Sequence, residues 1–218
     1  MKLKICGMKY PHNILEIGSL LPDYMGFIFW KKSARYFDGE MPNLPQSIKK
    51  VGVFVNATVA EILEKIVQYN LQAVQLHGHE SVEFCDNLKK ELPKAIEIIK
   101  VFSILDTFDF TALKPFESVS DYFLFDTKGK LPGGNGTTFD WKVLENYPST
   151  KPFFLSGGIG IEEIKQLVKT LQCNVSMKNL PVYALDINSK FETEPGLKNT
   201  QLCRDVAMQR LYQKNKKN

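Results

Sequence analysis

Two side chains that can transfer protons stand where short apolar segments of this chain end. Cys6 closes the segment LKIC, and Asp126 closes the segment YFLFD. A thiolate can remove a carbon-bound proton, and a carboxylic acid can donate a proton to a leaving ring oxygen. Cys6 could instead be a small core residue, so the place of its segment in the fold decides between the two interpretations.

Further polar side chains end or follow other apolar segments: Arg35, Gln75, His77 and Asp186. His77 and His79 form an HxH pair, but the sequence offers no third ligand with a matching arrangement, so we predict no metal site. His77 is interpreted as a hydrogen-bonding group that faces a substrate or, equally, as a structural residue.

The segment LSGGIGIEEI combines the end of a strand, a glycine turn and the start of a helix. Glycine lets the backbone approach a ligand, and the N–H groups at a helix start attract anions. Gly157 and Gly158 therefore predict a phosphate site, with an ordinary tight turn as the alternative. The segment is not a dinucleotide fingerprint, because Glu163 replaces its third glycine. A second glycine-rich segment, GKLPGGNGTT at residues 129–138, predicts a lid or binding loop.

A thiol, two carboxyl groups, an arginine and a phosphate site together suit proton transfer on a phosphorylated sugar. They indicate no metal and no redox cofactor. None of the cysteines lies in a CxxC pair, and a thiol-redox role would require a resolving cysteine near Cys6. The remaining thiols are predicted to be buried and inert, with helical surroundings: Cys85, Cys173 and Cys203.

The elements that must position these residues alternate between two patterns. Eight apolar, β-rich segments lack polar alternation, as strands covered on both faces do: LKIC, YMGFIF, VGVFV, AVQLH, IEIIKVFSI, YFLFD, PFFLSGG and VYALDI. Most intervening segments carry helical periodicity, although Pro42 and Pro45 predict a short or broken helix after the second strand. We therefore predict a (β/α)8 TIM barrel, with an open doubly wound sheet as the competitor. In such a barrel the active site lies where the strands end.

Length and charge limit the number of domains and the classes of partner that the sequence allows. The 218 residues predict one barrel domain over 1–218 with a short basic C-terminal tail that contains Lys214, Lys216 and Lys217. The net charge of +4 is mild and shows no basic face with interleaved aromatics, so we expect no nucleic-acid partner. The sequence shows neither a signal peptide nor a membrane-spanning segment, which favours a cytoplasmic protein.

A series of motifs occurs in order between residues 4 and 199: KICGM, GFIF followed by SARY, VGVFVN, VQLHG, FDT with GGNGTTFDW, LSGGIG and ALDINSKFETEPGLKN. Together they resemble the phosphoribosylanthranilate isomerase family of tryptophan biosynthesis. Each motif alone is modest, but jointly they are specific. The resemblance implies a cofactor-independent Amadori rearrangement of N-(5-phosphoribosyl)anthranilate by a monomer or a homodimer.

The resemblance also implies roles for individual residues. Asp126 matches the acid that opens the furanose ring, and Cys6 matches the base that takes the proton from C2 of the sugar. As a base, Cys6 requires a site that lowers its pKa. Arg35 matches the arginine that pairs with the anthranilate carboxylate. Asp186 matches an aspartate near the substrate amine, and Gly157, Gly158, Asn188 and Ser189 fall where the family binds phosphate. Gln75 and His77 are predicted from their strand end to bind the substrate.

Three positions depart from the family pattern. Ala34 replaces a proline, Asn135 replaces a threonine in the glycine-rich loop, and Lys190 replaces a glycine in the turn after the eighth strand. A glycine there could supply a positive φ, whereas a lysine could add a charge for phosphate. Two alternatives stay open: a related phosphosugar barrel enzyme, such as a synthase or an epimerase, and a catalytically silent barrel that binds a phosphorylated ligand.

Overall fold

Eight parallel strands close into a barrel in the computed structural model of the chain, which describes residues 1–127, 140–174 and 176–215. The strands follow chain order around the barrel, and β8 pairs with β1 to close it. Their bounds are β1 Lys2–Ile5, β2 Tyr24–Ile28, β3 Lys49–Phe54, β4 Ala73–Leu76, β5 Glu97–Ile104, β6 Tyr122–Thr127, β7 Phe153–Leu155 and β8 Val182–Ile187. The predicted TIM barrel is confirmed, and the open sheet is excluded.

Helices cover the outside of the barrel, with α1 at Pro11–Gly18, α2 at Val59–Tyr69, α3 at Val82–Glu91, α4 at Ile161–Cys173 and α5 at Thr200–Asn215. The sequence sets their starts. Pro11 occupies the first position of α1, and Thr58 and Glu61 form a reciprocal capping box at the start of α2. Residues 29–48, all described, contain no helix, so even the short or broken helix that the two prolines predicted is absent there.

Shorter elements complete the connections. In their described residues, the links that follow β5 and β6 carry 3-10 helices at Phe110–Phe116 and Trp141–Asn146. After β8, a 3-10 turn at Ser189–Phe191 leads into a small antiparallel hairpin of β9, Glu192–Glu194, and β10, Leu197–Lys198. This hairpin places Glu192 and Lys198 beside the end of β1.

Side chains that alternate along the strands fill the barrel interior in layers. A buried apolar layer occupies the middle: Val51, Ala73, Ile99, Leu124, Phe154 and Ala184. At the N-terminal ends of the strands, Tyr24, Tyr122 and Tyr183 pack against Phe154 and close the barrel. We call these three residues the tyrosine floor. The opposite end carries polar side chains.

Several sequence predictions concern positions away from the barrel interior. Cys85 and Cys203 are buried, but Cys173 is exposed near the end of α4, so the prediction that it is buried was wrong. The glycine-rich loop at residues 129–138 and the side chains of the basic tail lie outside the described residues. The single domain over 1–218 therefore stays a prediction. No helix in the described part of the chain is both long and apolar enough to cross a membrane.

Candidate active site

One cleft at the C-terminal ends of the strands brings the predicted site residues together. It has an empty volume of about 690 Å³, including its open mouth. All ten residues predicted from the sequence line it: Cys6, Arg35, Gln75, His77, Asp126, Gly157, Gly158, Asp186, Asn188 and Ser189. They come from six different strand ends, so closure of the barrel is what gathers them.

Cys6 lies beside a buried ion pair. Lys4 and Cys6 are two residues apart, so both side chains point into the barrel. The register of β1 and β8 aligns Lys4 with Asp186, and Lys4 Nζ donates a 2.8 Å hydrogen bond to Asp186 Oδ2. Cys6 is only 4% exposed, although its thiol borders the cleft. The Cys6 thiol is therefore held in a low-dielectric position next to charged groups.

Burial sets the ionisation of this group. It raises the pKa of the Cys6 thiol, and the positive charge of Lys4 opposes that shift. The expectation that the site lowers the pKa of Cys6 was wrong, because desolvation of the thiolate outweighs the nearby cations. Burial also raises the pKa of Asp186, again opposed by Lys4. For Lys4, burial favours the neutral amine, but the attraction of Asp186 and Cys6 prevails and raises its pKa.

Arg35 is already engaged by a carboxylate of the protein. Its Nε and Nη2 atoms donate to the carboxylate of Glu192, with the shortest contact at 2.7 Å. The same carboxylate accepts a 2.6 Å hydrogen bond from Lys198 Nζ. Although burial raises the pKa of Glu192, the hydrogen bonds from Arg35 and Lys198 lower it overall. Glu192 thus fixes the stem of Arg35 at the cleft and holds Lys198 close to β1.

Across the cleft, Asp126 of β6 faces a histidine. His77 Nε2 lies 3.3 Å from Asp126 Oδ2, yet it makes no hydrogen bond. The amide of Gln75 lies 3.2 Å from His77 Nδ1, and donation to that nitrogen leaves the proton of a neutral imidazole on Nε2. The buried atoms Gln75 Oε1 and Asp186 Oδ1 also have no hydrogen-bond partner. Unpartnered polar atoms from the ends of two strands, β4 and β8, therefore converge on the cleft, where a ligand can satisfy them.

The glycine turn after β7 forms the opposite wall. Gly157 and Gly158 have φ angles of +90° and +59°, values that side chains with a Cβ rarely adopt. A Cβ on Gly157 would also overlap Thr127. Gly160 N donates a 2.9 Å hydrogen bond to Glu163, so the first turn of α4 supplies part of its own cap.

Lys190, which replaces a glycine of the family pattern, has an unstrained backbone conformation. The positive φ angles of non-glycine residues in the described part of the chain belong to Leu21, Asn56 and Asn70, so this turn does not need a glycine at 190. The Lys190 stem passes the start of α4, where its Cβ would lie 3.6 Å from a Cβ built on Gly160. Its side chain borders the cleft beside Ser189 and Gly158. A lysine therefore lies next to the predicted phosphate residues Gly158 and Ser189.

A third part of the wall is apolar and was not predicted from the sequence. It is formed by the ends of β2 and β3 and the residues after them: Ile28, Trp30, Val53 and Val55. No role was predicted from the sequence for Lys4, Glu192 or Lys198. A signal for Lys4 existed, because a lysine inside an apolar strand segment, two residues before Cys6, shares its inward face. Nothing local indicated Glu192 or Lys198, which reach the site only through the hairpin.

Comparison with known proteins gives one consistent result. A family model described as N-(5'phosphoribosyl)anthranilate (PRA) isomerase matches residues 3–209 of the chain. The N-(5'-phosphoribosyl)anthranilate isomerase of Parabacteroides distasonis is 39% identical over 219 residues, which cover 97% of this chain and 94% of that protein.

Solved structures agree with the sequence comparison. A phosphoribosyl anthranilate isomerase in complex with reduced 1-(o-carboxyphenylamino)-1-deoxyribulose 5-phosphate is similar with a TM-score of 0.74 and 26% identity, covering 95% of this chain and 96% of that one. A dimeric isomerase from Thermotoga maritima, solved as generated monomers, has a TM-score of 0.68 and 25% identity, with coverage of 94% and 95%.

Proposed function

The chain belongs to the N-(5'-phosphoribosyl)anthranilate isomerase family, and on that premise we propose how its residues carry out the reaction. The enzyme converts N-(5-phosphoribosyl)anthranilate to 1-(2-carboxyphenylamino)-1-deoxyribulose 5-phosphate in tryptophan biosynthesis. This Amadori rearrangement needs an acid to open the ring and a base to remove a proton from C2 of the sugar. A synthase, an epimerase and a silent barrel were the alternatives, and membership of this family favours none of them.

Asp126 acts as the acid. Its protonated carboxyl gives a proton to the furanose ring oxygen, and the bond from that oxygen to C1 breaks. The nitrogen lone pair of the anthranilate forms a double bond to C1, which leaves a protonated Schiff base and a carboxylate on Asp126. His77 Nε2, 3.3 Å from Asp126 Oδ2, is placed to stabilise that new carboxylate.

Cys6 acts as the base. Its thiolate takes the proton from C2, and the electrons of the C2–H bond form a double bond between C1 and C2 while the iminium nitrogen is neutralised. The resulting enaminol then tautomerises to the ketone of the product. Asp186, whose Oδ1 has no hydrogen-bond partner, can accept a hydrogen bond from the substrate nitrogen. Cys6 and Asp126 belong to strand ends that are not neighbours, so the sugar lies between them.

The two ends of the substrate match the two walls of the cleft. The apolar wall at the ends of β2 and β3 suits the anthranilate ring, and Arg35 beside it can bind the ring carboxylate. The glycine turn suits the phosphate, through backbone N–H groups of Gly157 and Gly158 and through Asn188 and Ser189. Lys190 adds a positive charge at that end. The reacting carbons then fall near the middle of the cleft.

One observation carries this proposal: Cys6 and Asp126 line the same cleft, between an apolar wall and a glycine turn. The test is a fluorescence assay of phosphoribosylanthranilate consumption by the purified protein, with product identified by mass spectrometry. We expect turnover without added metal or cofactor. Absence of turnover by a correctly folded protein would overturn the assignment of these residues.

We also propose an oligomeric state and a cellular location for the protein. A monomer or a homodimer is expected, since the related Thermotoga maritima protein is described as dimeric. Sedimentation velocity at micromolar concentration distinguishes the two states. We further propose a cytoplasmic location, which fractionation of the source cells tests directly.

A further inference from the structure

We infer that Lys4 and Lys198 are positioning residues that make the Cys6 thiolate attainable by placing two buried ammonium groups beside it. This inference rests on the proposed role of Cys6 as the base. It addresses a difficulty in that role, because a thiol that is 4% exposed must still lose its proton. Neither lysine needs to touch the substrate; both would act through the charge that they present to the sulfur.

Lys4 lies deeper in the barrel than Cys6, on the same inward face of β1. Its side chain is fully buried on the inward face of β1, and Asp186 Oδ2 fixes its Nζ at 2.8 Å. The sulfur of Cys6 packs on Gly26 of β2, where a Cβ would lie only 2.6 Å from it. Gly26 brings no charge, and this close packing keeps the sulfur in the barrel near Lys4. The positive charge of Lys4 favours the thiolate.

Lys198 approaches Cys6 from the hairpin. It is 2% exposed, and its Nζ donates 2.6 and 2.7 Å hydrogen bonds to Glu192 Oε1 and Asn188 Oδ1. The same Asn188 oxygen lies 2.7 Å from the position of a Cβ on Gly7, the residue that follows Cys6. The Asn188 side chain therefore links Lys198 to Gly7, the residue next to Cys6. Burial lowers the pKa of Lys198, an effect that Glu192 opposes, and the ammonium form of Lys198 favours the Cys6 thiolate.

The charged groups around Cys6 lack one negative charge while the thiol is protonated. Cations reach the thiol region from β1, from β10 and from the loop after β2, and carboxylates reach it from β8 and β9: Lys4, Lys198, Arg35, Asp186 and Glu192. With both carboxylates ionised, the three cations exceed them by one charge while the thiol is protonated. A thiolate at Cys6 balances this cluster. His77 and Asp126 face the cleft from β4 and β6, on its far side.

Two of the three cations can be assigned to the thiolate. Arg35 spends two of its donor nitrogens on Glu192 and is 16% exposed in its side chain, so its field is shared with solvent and with that carboxylate. Lys4 and Lys198 are buried, where a charge acts through a lower dielectric. Burying lysines is costly unless the charge is used or paired, and here each has one carboxylate and a nearby thiol.

The experiment measures the ionisation of Cys6 directly. Cys6 alkylation by iodoacetamide is followed by mass spectrometry from pH 6 to 10 in the wild-type chain, Lys4→Met and Lys198→Met. The alkylation rate follows the thiolate fraction. We expect each variant to raise the Cys6 pKa by about one to three units, the usual effect of losing an opposite charge nearby. Below the pKa, this is roughly a ten- to thousandfold slower alkylation at fixed pH, and the acid limb of kcat/KM moves to higher pH.

The matched control is Lys100→Met. Lys100 is also a buried barrel lysine paired with a carboxylate, at 2.8 Å from Glu80, but it lies on β5 away from Cys6. It should leave the alkylation profile within about twofold, while costing comparable stability. An unchanged Cys6 profile in both test variants would overturn the proposal, and a change in one alone would withdraw the other lysine. An equal shift in Lys100→Met would reduce the effect to general loosening of the barrel.

Folding failure does not remove the test. If Lys4→Met does not fold, Lys198→Met alone carries the alkylation test, and its profile should still move to higher pH. Full activity of Cys6→Ser would reject Cys6 as the base and thus the proposed function. The alkylation profiles would in that case still report whether the lysines control the thiol, so the two failures are distinguishable.

Discussion

The two ends of the barrel interior differ in whether their buried polar groups have partners. At the tyrosine floor, Tyr24 Oη lies 3.1 Å from Glu97 Oε2 and 3.2 Å from Tyr183 Oη, and the rings of Tyr122 and Tyr183 stack at 4.4 Å. At the rim, buried atoms of Gln75, His77 and Asp186 have no hydrogen-bond partner. Because buried polar groups are normally satisfied, the floor reads as a completed core and the rim as a site completed by its ligand.

A single strand shows the transition between these ends. Lys2 places its ammonium 5.0 Å from the ring centre of Tyr183, at the floor. Two residues later, Lys4 forms a buried ion pair in the middle of the barrel, and two residues further Cys6 borders the cleft. The three side chains share the inward face of β1. Along β1, the inward side chains therefore change from contributing to stability at the floor to contributing to chemistry at the cleft.

The largest effect that can test this contrast is removal of the proton-transfer groups at the rim. Cys6→Ser and Asp126→Asn should each lower kcat by about 10²- to 10⁴-fold, the range that a positioned acid or base supplies. Both variants should keep the wild-type circular dichroism and thermal midpoint within a few degrees, because the rim adds little to the core. Wild-type turnover by a folded Cys6→Ser would return the thiol to a purely structural role.

The second prediction concerns the tyrosine floor, where we expect a loss of stability with little change in activity. Phe154 is fully buried and touches all three floor rings, with centroid distances of 5.3 to 5.5 Å. Phe154→Ala should cost about 3–5 kcal/mol of unfolding free energy through the cavity it leaves. The kcat at a temperature where the variant is folded should stay within about twofold. Phe154→Leu, which fills more of the space, serves as the control and should cost less in a urea titration. A large loss of kcat in Phe154→Ala would show that floor and rim are coupled.

The contrast also explains what the sequence could predict. Strand positions, the barrel and eight cleft residues follow from local patterns, because parallel strands gather their carboxyl ends at one rim. Asn188 and Ser189 came only from the family resemblance. The motifs of the family supplied roles that the patterns could not. Long-range pairing was out of reach: Arg35 and Glu192 are 157 positions apart, and only the folded hairpin joins them. Desolvation of Cys6 was also missed, since burial depends on every neighbour of the thiol and not on its own segment.

The third prediction concerns the phosphate end of the rim. Inorganic phosphate at about 100 times its dissociation constant should stabilise the wild-type chain by about 2.7 kcal/mol, because it binds only the folded state. Gly158→Val should abolish this protection, since φ is +59° there and the side chain would obstruct close backbone approach. Gly39→Ala is the control, because the nearest contact of its new Cβ is at 3.7 Å. Retained protection in Gly158→Val, measured by thermal unfolding with and without phosphate, would place the anion elsewhere.

The smallest expected effect tests whether the floor is as complete as its geometry indicates. Tyr24→Phe keeps the ring and its packing but removes the hydroxyl that lies near Glu97 and Tyr183. Loss of one hydrogen-bonding group should cost about 1 kcal/mol, and more if the Glu97 carboxylate is left without compensation. Glu97 keeps Lys49 as a partner, which limits that penalty. The variant should therefore unfold at slightly lower urea with an unchanged m-value and an unchanged pH profile of kcat/KM. A shifted pH profile would mean that charge at the floor reaches Cys6 through the barrel, and the separation of the two ends would then fail.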